Sequence, residues 1–454
     1  MQQPKVVIIG GDAAGMSAAS KIRRSNPEQP IIVFEKSAFT SYSACGIPYL
    51  ISGKVDDYHE LIVRSPEEFR EKYNIDVRIK HKVIAVDTQN NRVQVEFENE
   101  TFFESYDQLL IATGGKAFCP DVPNAAAKGI FGVSTLRSGI RVDEFITENK
   151  PKNAVIVGGG YIGVEMAEAL LILGLKVTLI NRSDEIMNTL DPDMAAIVRK
   201  AIQNLGVTVY LKESLTGFIA DHGKVTAVQT SLRQIPADIV ILGMGTRPNT
   251  DFLTDSGIEL SEKGAVVVDK YQKTNVSNVW AAGDCAQTFH LVSKKPFYIA
   301  LGTVANKTGL VAGTNIAGGS LNFPGVVGTA VTKICSYEVA RTGLQKKEID
   351  KLGIKAISTL ITAKSRASYY PDAKEIHVKL YADPKTAKIL GAQIIGEEGA
   401  SKRIDVLAAA LSQEMTLQQI IDLDLSYAPP FSPVWDPVQT AARKLFSDCK
   451  KSAT

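Results

Sequence analysis

The chain has 454 residues, 45% of them hydrophobic and 22% charged, with 51 Lys plus Arg against 49 Asp plus Glu and a formal net charge of +2. That length predicts two or three domains with full hydrophobic cores, and the balanced charge argues against nucleic acid as the main partner. Five cysteines, at positions 45, 119, 285, 335 and 449 with no C-x-x-C, suggest neither a disulfide framework nor a zinc site, so no bound metal is expected.

The N-terminus runs from MQQPK straight into VVIIG, without the pattern of a secretory leader. No uninterrupted apolar run reaches membrane-spanning length, so a cytoplasmic protein with no membrane partner is expected. The strand-like Val6–Ile9 meets a glycine turn from Gly10 to Gly15, a helix of small residues, and a second apolar strand, Ile31–Phe34, that ends at Glu35. Strand, glycine turn, helix, strand and acid in this order form a dinucleotide fingerprint. Gly10 allows the tight turn and Gly15 the close helix packing. The helix N-terminus presents free N–H groups to a pyrophosphate, and Glu35 accepts from a ribose. One position departs from G-x-G-x-x-G: Asp12 replaces the second glycine, and it is expected to turn outward and leave the fold unchanged.

The stretch SYSACGIPYL (41–50) holds Cys45, with no second cysteine five positions away on either side. ACGIPYLI reads as a helix start, whose amides are expected to stabilise a thiolate. YDQLLIATGGKAF (106–118) is an apolar strand ending in small residues. NAVIVGGGYIGVEMAEALLILGLKVTLINR repeats the fingerprint with Gly158, Gly160 and Gly163 all in place. Two fingerprints, each between strand and helix, are a strong signal where one is weak. The second ends on Asn181 and Arg182 instead of an acid, a pattern that favours a 2′-phosphate and hence NADPH; a solvated Arg182 with NADH use is the alternative. ADIVILGMGTRPNT (237–250), containing Gly245, and VSNVWAAGDCAQT (276–288), running into Gly283 and Asp284, are two further strands ending in small residues. From about 325 onward come alternating strands, a helical stretch and SYAPPFSPVWDPV, with no dinucleotide motif. The apolar strand faces there need a cover.

Taken together, the first fingerprint with Glu35, the ATG of 112–114, the second fingerprint and the GD of 283–284 resemble the flavoprotein disulfide reductases of the glutathione-reductase-like superfamily over essentially the whole chain. The SYSACGIPY loop resembles that of the single-cysteine branch and is closest to the coenzyme A disulfide reductases. The resemblance implies an α/β chain with two Rossmann-like dinucleotide-binding domains and a C-terminal α+β dimerisation domain. Their expected bounds are 1–115 with 249–325 for FAD, 116–248 for NAD(P)H and 326–454 for the dimer contact. It implies a homodimer whose partner covers the C-terminal sheet, with FAD, NADPH (or NADH) and a small thiol or disulfide, coenzyme A, as mixed-disulfide partner.

The same resemblance assigns roles. Cys45 is the redox sulfur, Ser41 a hydrogen-bond partner to it, and Tyr427 with Tyr369 (or Tyr370) the proton donors from the second subunit. Lys36, Thr113 and Gly114 lie near FAD. Tyr161 is the aromatic gate over the flavin, and Glu165 contacts the nicotinamide. Lys21, Arg23 and Arg24 on the first helix, with Arg64 and Lys307, are expected at the substrate phosphates. Cys45 as a packed small hydrophobe is the bland alternative. Coenzyme A disulfide or a coenzyme A persulfide is the leading substrate. The absence of a rhodanese-like module after residue 454 weighs against the persulfide. Neighbouring readings are a polysulfide or persulfide reductase and an NAD(P)H oxidase or peroxidase working through a Cys45 sulfenic acid. A reading from another class is a flavin electron carrier or redox sensor.

Overall fold

The computed structural model describes residues 3–453. Its first sheet is built on β1 (Val6–Ile9), every residue of which is buried. β1 pairs in parallel with β2 (Ile31–Glu35) on one side and with Gln108–Ile111 on the other; Asp76–Ile79 and Val279–Ala281 form the two edges. Between β1 and β2 runs α1 (Ala13–Ser25), whose buried face is Ala14, Met16, Ala18, Ala19 and Ile22. Gly10 has φ +111°, and a Cβ there would lie 2.2 Å from the Ala112 carbonyl oxygen. A Cβ on Gly15 would lie 1.9 Å from the Gly10 carbonyl oxygen. The turn therefore requires glycine at both positions.

A second parallel sheet repeats the construction. Its order is Thr208–Leu211, Lys176–Asn181, Asn153–Val157, Ile239–Leu242, Ile130–Gly132, and the helix Tyr161–Ile172 follows the glycine turn. The two units are joined where Gly115–Ala117 runs antiparallel to Thr246–Pro248. Gly245, just before that crossing, has φ +93° with open space around it.

The third sheet is antiparallel, in the order Ala330–Ile334, Tyr337–Gly343, Ile389–Gly396, Glu375–Ala382, Ile357–Lys364. The expectation that a partner subunit covers its apolar face is corrected here. The chain's own helices Ala400–Ser412 and Pro437–Ala453 do so, through Leu407, Leu411, Val438, Ala442 and Leu445 packed on Val378, Leu380 and Ile394. The fold class is thus two Rossmann-like α/β units and a C-terminal α+β unit. Among the described residues no helix is long and apolar enough to cross a membrane.

Candidate active site

The N-terminus of α1 opens on a cleft bounded by the ends of β1, β2 and Gln108–Ile111. At one end of it Glu35 is held by two amides: Oε2 accepts from Gly11 N–H at 2.9 Å and Oε1 from Ser37 N–H at 2.7 Å. Lys36 is exposed and borders a cavity of about 630 Å³ that also presents Lys80, Arg137 and Arg141 beside Phe39 and Tyr58. This basic, aromatic-walled space suits the adenosine and phosphate end of a dinucleotide, and Arg137 was not singled out in the sequence. Thr113 Oγ1 donates to Asn249 O at 2.7 Å, and Asn249 N–H returns to Gly114 O at 3.0 Å, so both residues lie where the two units meet.

At the cleft's other end Gly283 has φ +78°, and its N–H donates to Thr308 Oγ1 at 3.0 Å. Next to it, Asp284 Oδ1 is a buried acceptor without a hydrogen-bond partner. Burial pushes its carboxyl up to about 6, against the Leu301 amide that pulls it down. An orphaned acceptor of this kind fits the ribityl hydroxyls of FAD. The donor set and the glycine cradle therefore fit the cofactor implied by the sequence.

Cys45 lies in a single 3₁₀ turn, Ala44–Gly46, directly before the short helix α2 (Ile47–Ile51). It is exposed, and all five cysteines are free thiols. The expected stabilisation of its thiolate is overturned in the protein alone. Desolvation of the sulfur pushes the thiol up; Glu165, Asp284 and Asp12 push the same way, outweighing the Cys45 backbone amide. Charges from both nucleotide units thus add to the effect of burial on this thiol. The expected Ser41–sulfur hydrogen bond is also not formed. Ser41 has φ +46°, its N–H donates to Gly11 O at 3.1 Å, and its own carbonyl accepts from Val63 N–H at 2.8 Å.

In the second unit Gly158 and Gly163 repeat the geometry of Gly10 and Gly15, and Gly160 caps the helix Tyr161–Ile172. The Tyr161 hydroxyl is buried without a partner. Glu165 Oε1 accepts from Thr332 Oγ1 at 2.5 Å; burial raises its carboxyl and Thr332 opposes this. Asn181 is buried. Its Oδ1 accepts from Gly159 N–H at 3.2 Å, the counterpart of Glu35 on Gly11, while Nδ2 donates to Glu185 O at 2.7 Å. Arg182 is exposed and has no ion pair among the described residues. Lys212, unforeseen in the sequence, stands beside it: its N–H donates to Ser183 O at 3.1 Å and its Nζ lies 3.5 Å from Asp184.

Tyr369 and Tyr427 come together. They are 75% and 47% exposed, and the neighbouring Tyr369 side chain raises the Tyr427 phenol. Tyr370 instead lies half-buried under Arg366. No hydrogen bond or ring contact joins either exposed tyrosine to the Cys45 loop of the same chain. The segments carrying them are pinned by a residue that sequence reasoning missed: Arg403 Nε donates to Asp436 at 2.8 Å, and its Nη2 to the carbonyls of Ser365 and Phe431 at 2.9 and 3.1 Å. Phe431 and Val434 are exposed nearby, at 77% and 68%.

Two of the expected phosphate contacts are corrected. Arg23 is occupied, donating to Tyr73 O at 3.1 Å and Asn74 O at 2.5 Å, and so ties α1 to the helix Pro66–Tyr73. Arg64 is packed over the Tyr73 and Phe69 rings and paired with Glu68. Among the described residues Lys21, Arg24 and Lys307 have no ion-pair partner. Lys21 and Arg24 are on α1 and Lys307 on the helix Gly302–Ile316 that crosses it, where Ser17 Oγ donates to Asn306 Oδ1 at 2.8 Å. Cys285 is buried with its sulfur on the Ile111 and Ala282 carbonyls, which leaves it no access to substrate.

Residues 4–309 match the pyridine nucleotide-disulphide oxidoreductase family, and residues 329–437 match the dimerisation domain of the same family. The chain is 38% identical over 447 residues, 98% of this chain and 100% of the other, to the NAD(P)H sulfur oxidoreductase (CoA-dependent) of Pyrococcus furiosus. It is 32% identical over 436 residues, 94% of this chain and 97% of the other, to a coenzyme A disulfide reductase of Staphylococcus aureus. The crystal structure of reduced Bacillus anthracis CoADR-RHD superposes with a TM-score of 0.96 at 31% identity, over 99% of this chain and 81% of that one.

Proposed function

Since the chain belongs to the pyridine nucleotide-disulphide oxidoreductase family, we propose that it is an FAD-dependent NADPH oxidoreductase that reduces coenzyme A disulfide through Cys45 as a homodimer. The observation that carries this is the placement of Cys45: an exposed thiol on the Ala44–Gly46 turn that opens α2, in a loop whose Ser41 N–H is bonded to Gly11 O of the first glycine turn, with all five cysteines unpaired. With no internal partner, the sulfur bond made at Cys45 is to an external thiol.

Gly10, Gly15, Glu35, Thr113, Gly114, Gly283 and Asp284 would hold FAD, with Lys36 and Arg137 at its adenosine end. When bound, FAD supplies the route for an electron pair from NADPH to sulfur. The Cys45 thiolate attacks one sulfur of the disulfide, so that a Cys45–coenzyme A bond forms and one thiolate leaves. Tyr427 and Tyr369 of the second copy hydrogen-bond that leaving thiolate and supply its proton. The incoming electron pair then breaks the mixed disulfide, returning the Cys45 thiolate and the second thiol. Tyr161 shields the nicotinamide face from water, and Glu165, desolvated and fixed by Thr332, orients the nicotinamide. Arg182 beside the neutral Asn181 gives the preference for a 2′-phosphate. Lys21, Arg24 and Lys307 form a basic track along crossing helices for the substrate phosphates. The proposed division is 1–115 with 249–325, 116–248 and 326–454, and the proposed location is the cytoplasm.

A second reading, reduction of a coenzyme A persulfide, is favoured by the likeness to a CoA-dependent sulfur oxidoreductase. Intact mass of the protein before and after reductant separates the two. A reductant-sensitive coenzyme A on Cys45 supports the disulfide route; an added sulfur supports the persulfide; oxygen on Cys45 overturns both in favour of a sulfenic acid. Cys45→Ser separates all three from an electron carrier, which would retain its full function without the thiol.

A further inference from the structure

Asp12 stands where the first fingerprint would have its second glycine, and it does not turn outward. It occupies the N-cap of α1, a position where Asp ordinarily accepts from an amide of the first helical turn. No such capping bond is made. Its Oδ1 instead accepts from Tyr42 N–H at 3.2 Å. The neighbouring Gly11 carbonyl accepts from Ser41 N–H at 3.1 Å. Two consecutive residues of the glycine turn therefore grip two consecutive residues of the loop that leads into Cys45. The grip acts against strain, because Ser41 is held in the left-handed region, where a non-glycine residue persists only when its surroundings over-determine it. The other side of the loop is held by Val63 N–H on Ser41 O and by Ser43 N–H on Leu61 O, both at 2.8 Å. Burial pushes the Asp12 carboxyl up to about 7, the Tyr42 amide opposing this and the charges of Glu35 and Asp284 adding to it.

We propose that Asp12 is a positioning residue for the redox sulfur: its carboxyl fixes the Tyr42 backbone to the glycine turn and thereby sets where Cys45 stands relative to the flavin. This rests on the reading of Cys45 as the sulfur that exchanges electrons with FAD. The mechanism places the acceptor oxygen of Asp12, not its charge, at the centre of the effect.

The test compares holoenzymes of the wild type, Asp12→Gly and Asp12→Asn. Asp12→Gly restores the glycine pattern of the fingerprint, so FAD content stays stoichiometric while the bond to Tyr42 is lost. Asp12→Asn keeps an acceptor oxygen. Two readouts are followed: the long-wavelength thiolate-to-flavin charge-transfer absorbance on titration with NADPH, and the pH profile of Cys45 alkylation by iodoacetamide, mapped by mass. Asp12→Gly is expected to lose most of the charge-transfer absorbance and to alkylate several-fold faster. Asp12→Asn is expected to regain the absorbance, with its alkylation profile moved slightly to lower pH because one of the acids that raise the Cys45 thiol (Glu165 and Asp284 remain) is gone. An Asp12→Gly protein with the wild-type band and profile overturns the proposal, as does equal loss in both variants. If the wild type shows no charge-transfer band, Cys45 as the flavin's partner is what fails, and the alkylation comparison still decides the role of Asp12.

Discussion

Arg403 Nε meets Asp436 Oδ2 at 2.8 Å, and through this pair the Tyr427 segment is fixed to the loop that carries Tyr369. Both side chains are almost fully covered, at 11% exposure each. Arg403→Met removes the donors to Asp436, Ser365 O and Phe431 O together. Disulfide turnover is expected to fall about 10–100-fold through misplacement of the two hydroxyls. NADPH-driven reduction of a dye at the flavin is expected to persist. Steady-state rates with each acceptor, on the same preparation, check this; parallel loss of both activities would show that Arg403 merely holds the fold.

The Cys45 thiol in the FAD-free protein is expected to be mostly protonated at neutral pH. Desolvation, Glu165, Asp284 and Asp12 all raise it. The reactive thiolate then grows about tenfold per pH unit until the thiol's raised range is reached. Glu165→Gln keeps the acceptor for Thr332 but removes the charge, so alkylation of Cys45 should become faster at fixed pH. A rate independent of pH between neutrality and mild alkalinity, or unchanged in Glu165→Gln, would contradict the assignment of these acids to the sulfur's surroundings.

Asp191 joins the nucleotide unit to the C-terminal sheet. Lys379 Nζ lies 2.8 Å from its Oδ2, Tyr381 donates to it at 2.5 Å and the Lys346 amide at 3.0 Å. Burial raises its carboxyl, and these three partners together bring it below the ordinary range. A carboxyl depressed in the folded state stabilises the fold at pH above its unfolded value, and that contribution is lost as pH falls through the folded value. Lys379→Met strands a buried carboxylate, at a cost of about 3–5 kcal/mol. Chemical denaturation of the variant at neutral pH measures that cost. A second series toward acid should show the difference between the variant and the wild type shrinking, because Asp191 then protonates in both.

The two glycine turns were readable because strand, turn and helix follow one another in the chain, and part of the crowding is local: a Cβ on Gly15 would meet Gly10 O, and one on Gly163 would meet Gly158 O. The crowding at Gly10 by Ala112 O and at Gly158 by Gly243 O comes from distant strands. The equivalence of Asn181 to Glu35 followed from position alone, and the structure adds that both side chains accept from a glycine amide. What could not be read depends on partners brought together from distant parts of the chain. Arg23 and Arg64 look like free cations until Tyr73 and Asn74 close over them. A helix start after Cys45 suggests a stabilised thiolate until burial of the sulfur and the charges of Glu165, from the second unit, and Asp284, from a distant part of the first, are added. Asp12 reads as a neutral departure because its partner, the Tyr42 amide, carries no signature in side-chain identity.

Arg182 and Lys212 bear on cofactor choice. The strand ending at Asn181 pairs with Thr208–Leu211, Asn181 opposite Leu211, and the next residues remain joined: Lys212 N–H donates to Ser183 O and Glu213 N–H to Asn181 O, both at 3.1 Å. Glu213, buried and hydrogen-bonded by Thr230 at 2.6 Å, anchors the turn. Lys212 is therefore held beside Arg182, with its Nζ near the Asp184 carboxylate. A 2′-phosphate bound here would be met by two cations, each charge-assisted contact contributing about 1.5–3 kcal/mol. Arg182→Ala is expected to weaken NADP⁺ binding to the oxidised holoenzyme by more than about tenfold, one decade being about 1.4 kcal/mol, and to leave NAD⁺ nearly unchanged. Lys212→Met should act in the same direction with a smaller effect, and Asp184→Asn should strengthen NADP⁺ alone. Calorimetric titration with the two oxidised nucleotides reads all three. Equal weakening of NAD⁺ and NADP⁺ would place these side chains at the adenine or the pyrophosphate, and a wild type that binds the two nucleotides equally would remove the preference for NADPH itself.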